Sequence, residues 1–259
     1  MQNTLELMCT DFDGTIYDES VRPPIPATFL ESVANMQERG ICWMVNTGRE
    51  KDFLLESLRE HGSGLLPDYI GVVERELYVL KSGNYTPLEY WNLASKKTHA
   101  SLFEQHTNLM IDIRRWINTS FDADIYEDEH SPICLIARNN GDADAIHAHV
   151  QEALIDHPEL SWVRNDVYAR FSHAKIHKGT LLKQVAKLQQ IPASRILAAG
   201  DHLNDLPMLH PEYAAHLVAP ANSVPEVRHQ VSEHGGYISS GIAGWGIQEA
   251  LLKKGFGGR

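Results

Sequence analysis

The chain has 259 residues, 43% hydrophobic and 22% charged, with a formal net charge of −11. That is enough chain and apolar content for one large domain or two smaller ones with proper cores. No basic run occurs anywhere, which argues against nucleic acid or an anionic membrane as the main partner; a small anion stays possible, because a bound metal reverses the local sign.

The first element is an apolar strand, Leu5 to Cys9, that ends in Asp11-Phe12-Asp13-Gly14-Thr15. Two carboxylates one residue apart at the end of a buried strand repel by roughly 4 kcal/mol at about 4 Å and an effective dielectric near 20. Such a pair is usually kept for a cation or a reaction. Gly14 lets the backbone turn tightly beside them. Glu6 and Asp11 interrupt any signal-peptide core, and no stretch is long enough to span a bilayer, so a cytoplasmic protein is expected. Cys9, Cys42 and Cys134 each sit in apolar runs without a CxxC partner and read as buried small hydrophobes.

After Pro23, Pro24 and Pro26, the positions Phe29, Leu30, Val33 and Met36 predict a helix that Gly40 ends. Ile41 to Val45 predicts a second buried strand, closing in Asn46-Thr47-Gly48-Arg49, with a helix carrying Phe53, Leu54 and Leu58 behind it. Asp68 to Val73 predicts a third strand. Strand and helix alternate here, so a parallel sheet is expected.

The rhythm then changes. From about Lys81 aromatics and turns increase, one long helix is expected from about His99 to Phe121, and a strand at Ile133 to Ala137 leads through Asn139-Asn140-Gly141 into another helix. Strands are expected near 161–164 and 167–171. This reads as an α+β module over 82–173, inserted into a domain made of 1–81 and 174–259. The first rhythm resumes at Lys178-Gly179, where Leu181, Leu182, Val185 and Leu188 line a helix. Ile196 to Ala199 predicts a strand ending in Gly200-Asp201-His202-Leu203-Asn204-Asp205, followed by a short helix through Leu206, Met208 and Leu209. A strand at about Ala215 to Ala219 precedes Ser223 and Pro225, a cap and first turn for a further helix.

Three apolar strands thus end in polar groups: Asp11 and Asp13, Thr47, and Asp201 with Asp205. Ligands of open α/β sheets bind outside the carboxyl ends of strands at the crossover, so these groups converge if the strands are neighbours. Four carboxylates together call for a hard divalent cation, and oxygen donors favour Mg2+. Lys178 can bring a charge to the same place, and Thr47 with the Gly48 amide suits phosphate oxygens.

DFDGT, the strand-terminal Thr47-Gly48-Arg49, Lys178-Gly179 and GDHLND, in this order and spacing, closely resemble the four motifs of the haloacid dehalogenase superfamily. The match covers roughly 5–81 and 174–250. The insertion is similar to the large α/β cap of the Cof-like phosphatases, a group related to sucrose-phosphate phosphatases and phosphomannomutases. The resemblance implies an α/β Rossmann-like core with an inserted cap, and an Mg2+-dependent phosphatase acting on a small phosphorylated metabolite such as a sugar phosphate.

It implies Asp11 as nucleophile, Asp13 as acid and base, and Thr47, Gly48 and Lys178 as phosphoryl holders. Asn204 would position Lys178 or the phosphate. Mg2+ would be held by Asp11, the Asp13 carbonyl and Asp201, with Asp205 in support. A phosphomutase and a non-catalytic regulatory protein on the same fold are the competing expectations. A monomer or homodimer is expected.

Where many Cof-like proteins carry Asn-Gly after the third strand, this chain has Val73-Glu74-Arg75-Glu76. Arg49 reads equally as a substrate contact or a structural ion pair. Exposed histidines are the default for His173 with His177 and for His147 with His149, and His202 has a bland default role. Trp91, Trp116 and Trp162 read as cap core, while the facing of Arg138, Arg164 and Arg170 is open.

Overall fold

The computed structural model describes residues 4–257. In chain order the elements begin with β1 (Leu7–Thr10), α1 (Ala27–Glu38), β2 (Cys42–Asn46), α2 (Lys51–His61), β3 (Tyr69–Val72), β4 (Glu76–Lys81) and β5 (Asn84–Pro87). Then come α3 (Glu89–Gln105), α4 (Thr107–Ser120), β6 (Ala123–Tyr126), β7 (Cys134–Ala137), α5 (Asn140–Ala153), β8 (Leu160–Asn165) and β9 (Tyr168–His173). The chain closes with α6 (Lys178–Gln189), β10 (Ile196–Ala199), β11 (His216–Ala219), α7 (Pro225–Glu233), β12 (Tyr237–Ile238) and α8 (Ala243–Lys253).

These elements form two compact units, Glu89–His177 and the described part of Met1–Leu88 with Lys178–Arg259. The hairpin β4–β5 still pairs with the first unit's sheet, which is why that unit extends to Leu88.

The first unit is α/β. Its sheet runs β12-β11-β10-β1-β2-β3-β4-β5, parallel from β12 to β3 and antiparallel beyond. All four residues of β1 are buried, the pattern of a parallel strand covered on both faces. Helix α1 buries Phe29, Leu30, Val33 and Met36, and Phe29 meets Trp43 edge-on with centroids 6.3 Å apart. Each such large side chain contributes about 1.5–3 kcal/mol by leaving water.

The second unit is an antiparallel sheet, β6-β7-β9-β8, with α3, α4 and α5. Its core gathers Leu102, Ile113, Ile117, Leu135, Ile146 and Phe171. Trp162 is buried there against Phe171, and Trp116 packs at its edge while stacking on His149 at 3.6 Å.

Three local expectations need correction. The expected helix from His99 to Phe121 is two helices, interrupted at His106. Across the break the Thr107 hydroxyl donates back to the carbonyls of Phe103 and Glu104, both at 3.0 Å. The short helix expected around Leu206 is a 3-10 turn at Leu203–Asp205 followed by turns. Helix α7 starts with Pro225 as expected, but the Ser223 hydroxyl bonds the Pro220 carbonyl and does not cap it.

Candidate active site

Strand β1 lies between β10 and β2, and the chain crosses to opposite sides of β1 to reach them. Such a switch point opens a crevice beyond the strand ends. Asp11 follows β1, Thr47 follows β2 and Asp201 follows β10 by two residues; all are buried, and so are Lys178, Asn204 and Asp205. The polar groups that follow three separate strands therefore gather at one edge.

At its centre is Lys178, fully buried as the first residue of α6. A lysine there opposes the helix dipole and loses its hydration. Two carboxylates compensate: its Nζ donates to Asp11 Oδ1 at 2.7 Å and to Asp205 Oδ1 at 2.6 Å. Burial pulls the Lys178 pKa down, but Asp11 and Asp205 more than reverse this and hold it above the usual lysine range. Asn46 fixes the backbone beneath it by donating from Nδ2 to the Lys178 carbonyl at 2.9 Å.

Asp205 is fully engaged, because its Oδ2 also accepts the amides of Asp201 at 2.9 Å and His202 at 3.0 Å. It braces the loop and the lysine together. Asp201 accepts the Thr15 hydroxyl at 2.7 Å. Asp11 is different, since its Oδ2 is buried and has no hydrogen-bond partner among the described residues.

Asp13 stands apart from this cluster. Its two carboxylate oxygens receive Arg49 as a fork, Nε at 2.7 Å and Nη2 at 2.6 Å. Arg49 also donates to the Ser57 hydroxyl and lies over the rings of Phe12 and Tyr17, 4.9 and 5.1 Å from their centroids. Of the two possibilities for Arg49, the ion pair is the one observed. Thr47 is 1% exposed, and its hydroxyl accepts the Arg49 amide at 3.1 Å.

Glu74 is the residue that motif spacing did not single out as part of the site. Val73 and Glu74 both adopt left-handed backbone, with φ of 46° and 61°, a conformation that Asn and Gly take far more easily. This turn buries the Glu74 carboxylate, which accepts Asn204 Nδ2 at 2.7 Å. Gly48 is adjacent, as a Cβ there would stand 3.4 Å from Glu74 Oε1. Asn204 is therefore held by Glu74, and Glu74 adds its charge to those that raise the Lys178 pKa. The departure from Asn-Gly was visible in the sequence, but its consequence depends on that turn.

Carboxylate oxygens of Asp11, Asp201 and Asp205 lie within 4.8 Å of one another. Burial first, and then the neighbouring Asp205 charge, hold the Asp11 carboxyl well above the usual range and push Asp201 up to about 7. Buried, oxygen-rich and proton-hungry, with an unpartnered oxygen on Asp11, this donor set fits a hard divalent cation. Asp13 could add only its backbone carbonyl while Arg49 holds its carboxylate.

A pH signature follows. Because the folded Asp201 pKa exceeds its unfolded value, the folded chain binds more protons between pH 4 and 7, and metal-free stability falls as pH rises through that window. A divalent cation removes the penalty, so the rise in Tm from EDTA to excess Mg2+ is expected to be several degrees larger at pH 8 than at pH 5. Thermal denaturation in the four conditions measures it, and equal shifts would exclude these carboxylates as the cause.

Gly14 shapes the floor of the cluster, with φ of +71° and a hypothetical Cβ only 2.3 Å from Asp201 Oδ2. Gly14→Ala is expected to displace Asp201 and weaken Mg2+ affinity 10- to 100-fold. Mg2+ titration of the Tm checks this, with unchanged affinity as the contrary result.

The His147–His149 and His173–His177 pairs are half-buried, not exposed, and neither belongs to a metal-competent group among the described residues. Arg164 pairs with Asp144 at 2.5 Å, Arg138 with Asp122 at 3.3 Å, and Arg170 lies 3.8 Å from Asp128. The cysteines are free, and burial pushes the thiols of Cys9 and Cys134 up to about 12, too high for reactivity.

A family model described as haloacid dehalogenase-like hydrolase matches residues 74–241, more than half of the chain. No curated protein matches it in sequence. Among solved structures, sucrose-phosphatase from Synechocystis sp. PCC6803, in complex with sucrose and phosphate, aligns with TM-score 0.69 and 18% identity over 97% of this chain and 98% of its own. BT1666 from Bacteroides thetaiotaomicron, from a study of phosphatases of the haloalkanoate (HAD) enzyme superfamily, gives TM-score 0.66 and 16% identity over 98% and 97%. TM0651 from Thermotoga maritima gives 0.62 and 15% over 96% and 97%. At these identities the likeness is one of fold.

Proposed function

The chain belongs to the haloacid dehalogenase-like hydrolases, and from that premise we propose that it is an Mg2+-dependent phosphatase hydrolysing a small phosphomonoester through an aspartyl-phosphate on Asp11. The observation that carries this is the buried Asp11–Lys178–Asp205 array, with one Asp11 oxygen bonded to the lysine and the other without a partner. A carboxylate held this way has a fixed direction of attack and cannot relax into solvent.

In the proposed reaction an Asp11 oxygen attacks phosphorus while the Lys178 ammonium, the Thr47 hydroxyl and the Gly48 amide hold the phosphoryl oxygens. Asp13 protonates the leaving alkoxide and then takes a proton from the water that opens the acyl phosphate. For this it must release at least one Arg49 contact, so the fork seen here is a resting arrangement. Arg49 then keeps Asp13 oriented through its remaining bond and its seat on Phe12 and Tyr17. Bound by Asp11, Asp201 and the Asp13 carbonyl, Mg2+ would supply positive charge against the phosphoryl oxygens. Asp205 and Glu74 act at one remove, through Lys178 and Asn204.

A sugar phosphate is the proposed substrate class, supported by the family and by a fold neighbour that is a sucrose-phosphatase. The test is phosphate release from p-nitrophenyl phosphate and then from a panel of phosphorylated sugars, with saturating Mg2+ and with EDTA. Turnover that needs Mg2+ is expected. No release from any of them would overturn the proposal, and isomer interconversion without release would replace it by a mutase.

A further inference from the structure

The break between α3 and α4 places His106 against the connection from α5 to β8, which carries His157 and Glu159. The two imidazoles meet edge to face with centroids 4.9 Å apart. His106 Nε2 is buried and lies 2.6 Å from Glu159 Oε1 as an ion pair. Donor atoms of all three residues lie within 4.8 Å of one another.

Their backbones are fixed. The His106 amide bonds Leu102, its carbonyl receives Met110, His157 bonds Leu154 and receives Leu160, and Glu159 receives Ala174. Two imidazoles and a carboxylate whose donor atoms converge this closely offer one ion three ligands. We propose that His106, His157 and Glu159 form a second metal site, within the Glu89–His177 unit, for a borderline transition ion such as Zn2+ or Co2+.

The donor chemistry separates it from the phosphoryl centre. Imidazole nitrogens favour Zn2+ and Co2+ over Mg2+, whereas an all-oxygen cluster suits Mg2+. Three protein donors leave a fourth position for water. Tetrahedral ligands at bonds of about 2.1 Å stand about 3.4 Å apart, so binding would open the His106–Glu159 contact and draw in the widest pair. A bare His106–Glu159 ion pair is the competing account, and it predicts no metal.

The test uses the full chain, stripped with EDTA and returned to excess Mg2+, then titrated with Co2+. One equivalent is expected to bind with the intense visible absorption of four-coordinate Co2+, unaffected by added Mg2+. Zn2+ should displace it and raise the Tm. Binding should vanish in His106→Ala and in His157→Ala. If those variants do not fold, Glu159→Gln, at a 39% exposed side chain, is expected to lower the affinity at least tenfold. No four-coordinate signal in the wild-type protein, or a signal that survives all three substitutions, overturns the proposal. Its outcome is independent of the phosphatase proposal, because no step of the assay needs turnover.

Discussion

Asp11→Asn is expected to lower phosphate release by about 10³-fold or more while leaving the protein folded. Asn has the same shape and its amide oxygen can still accept Lys178, so the 2.7 Å contact survives. What disappears is the charge and nucleophilicity of the carboxylate. Stability should move the other way. Burial and Asp205 make the ionised Asp11 unfavourable in the metal-free protein, so the neutral isostere is expected to match or exceed the wild-type Tm in EDTA. In excess Mg2+ the order should reverse, because one ligand has lost its charge. Steady-state turnover together with Tm in EDTA and in Mg2+ measures all three effects. Activity above about 1% of wild type would remove Asp11 from the nucleophile's role, whereas a collapsed Tm in EDTA would show that its charge is structural.

Much of this centre was legible in the sequence. Short apolar runs alternating with helical periodicity imply a parallel sheet, and a parallel sheet brings residues that follow its strands together. That places Asp11, Thr47 and Asp201 at one edge, while Lys178, by itself a surface lysine at the head of a helix, was raised only by the spacing of the four motifs. Pairings were not legible. Arg49 had two equally reasonable uses, and only side-chain geometry showed its fork on Asp13. Glu74 depended on two non-glycine residues in left-handed backbone, which no propensity would predict. His106 looked like one residue in a long helix, because a one-residue interruption leaves no trace in hydrophobic spacing. Its closeness to His157 and Glu159 is a property of packing.

Lys178→Met is expected to cost about 3–5 kcal/mol of stability at pH 8 and to abolish measurable turnover. Methionine fills similar volume without a charge, so packing is largely kept and electrostatics carry the loss. Asp11 Oδ1 and Asp205 Oδ1, now 2.7 and 2.6 Å from the ammonium, would face each other buried and uncompensated. Without the lysine the Asp11 carboxyl, already held above its usual range by burial and by Asp205, is pushed further up. Stability is then present at low pH, where the Asp11 carboxyl is protonated, and is lost as pH rises through its folded pKa. The deficit relative to wild type should therefore shrink markedly from pH 8 to pH 5. Adding Asp205→Asn to Lys178→Met should recover part of it at pH 8, since one of the two stranded charges is gone. Urea denaturation of wild type, Lys178→Met and the double variant at both pH values tests this. A deficit independent of pH would mean that Lys178 supports the fold by packing, and the electrostatic account of its burial would be wrong.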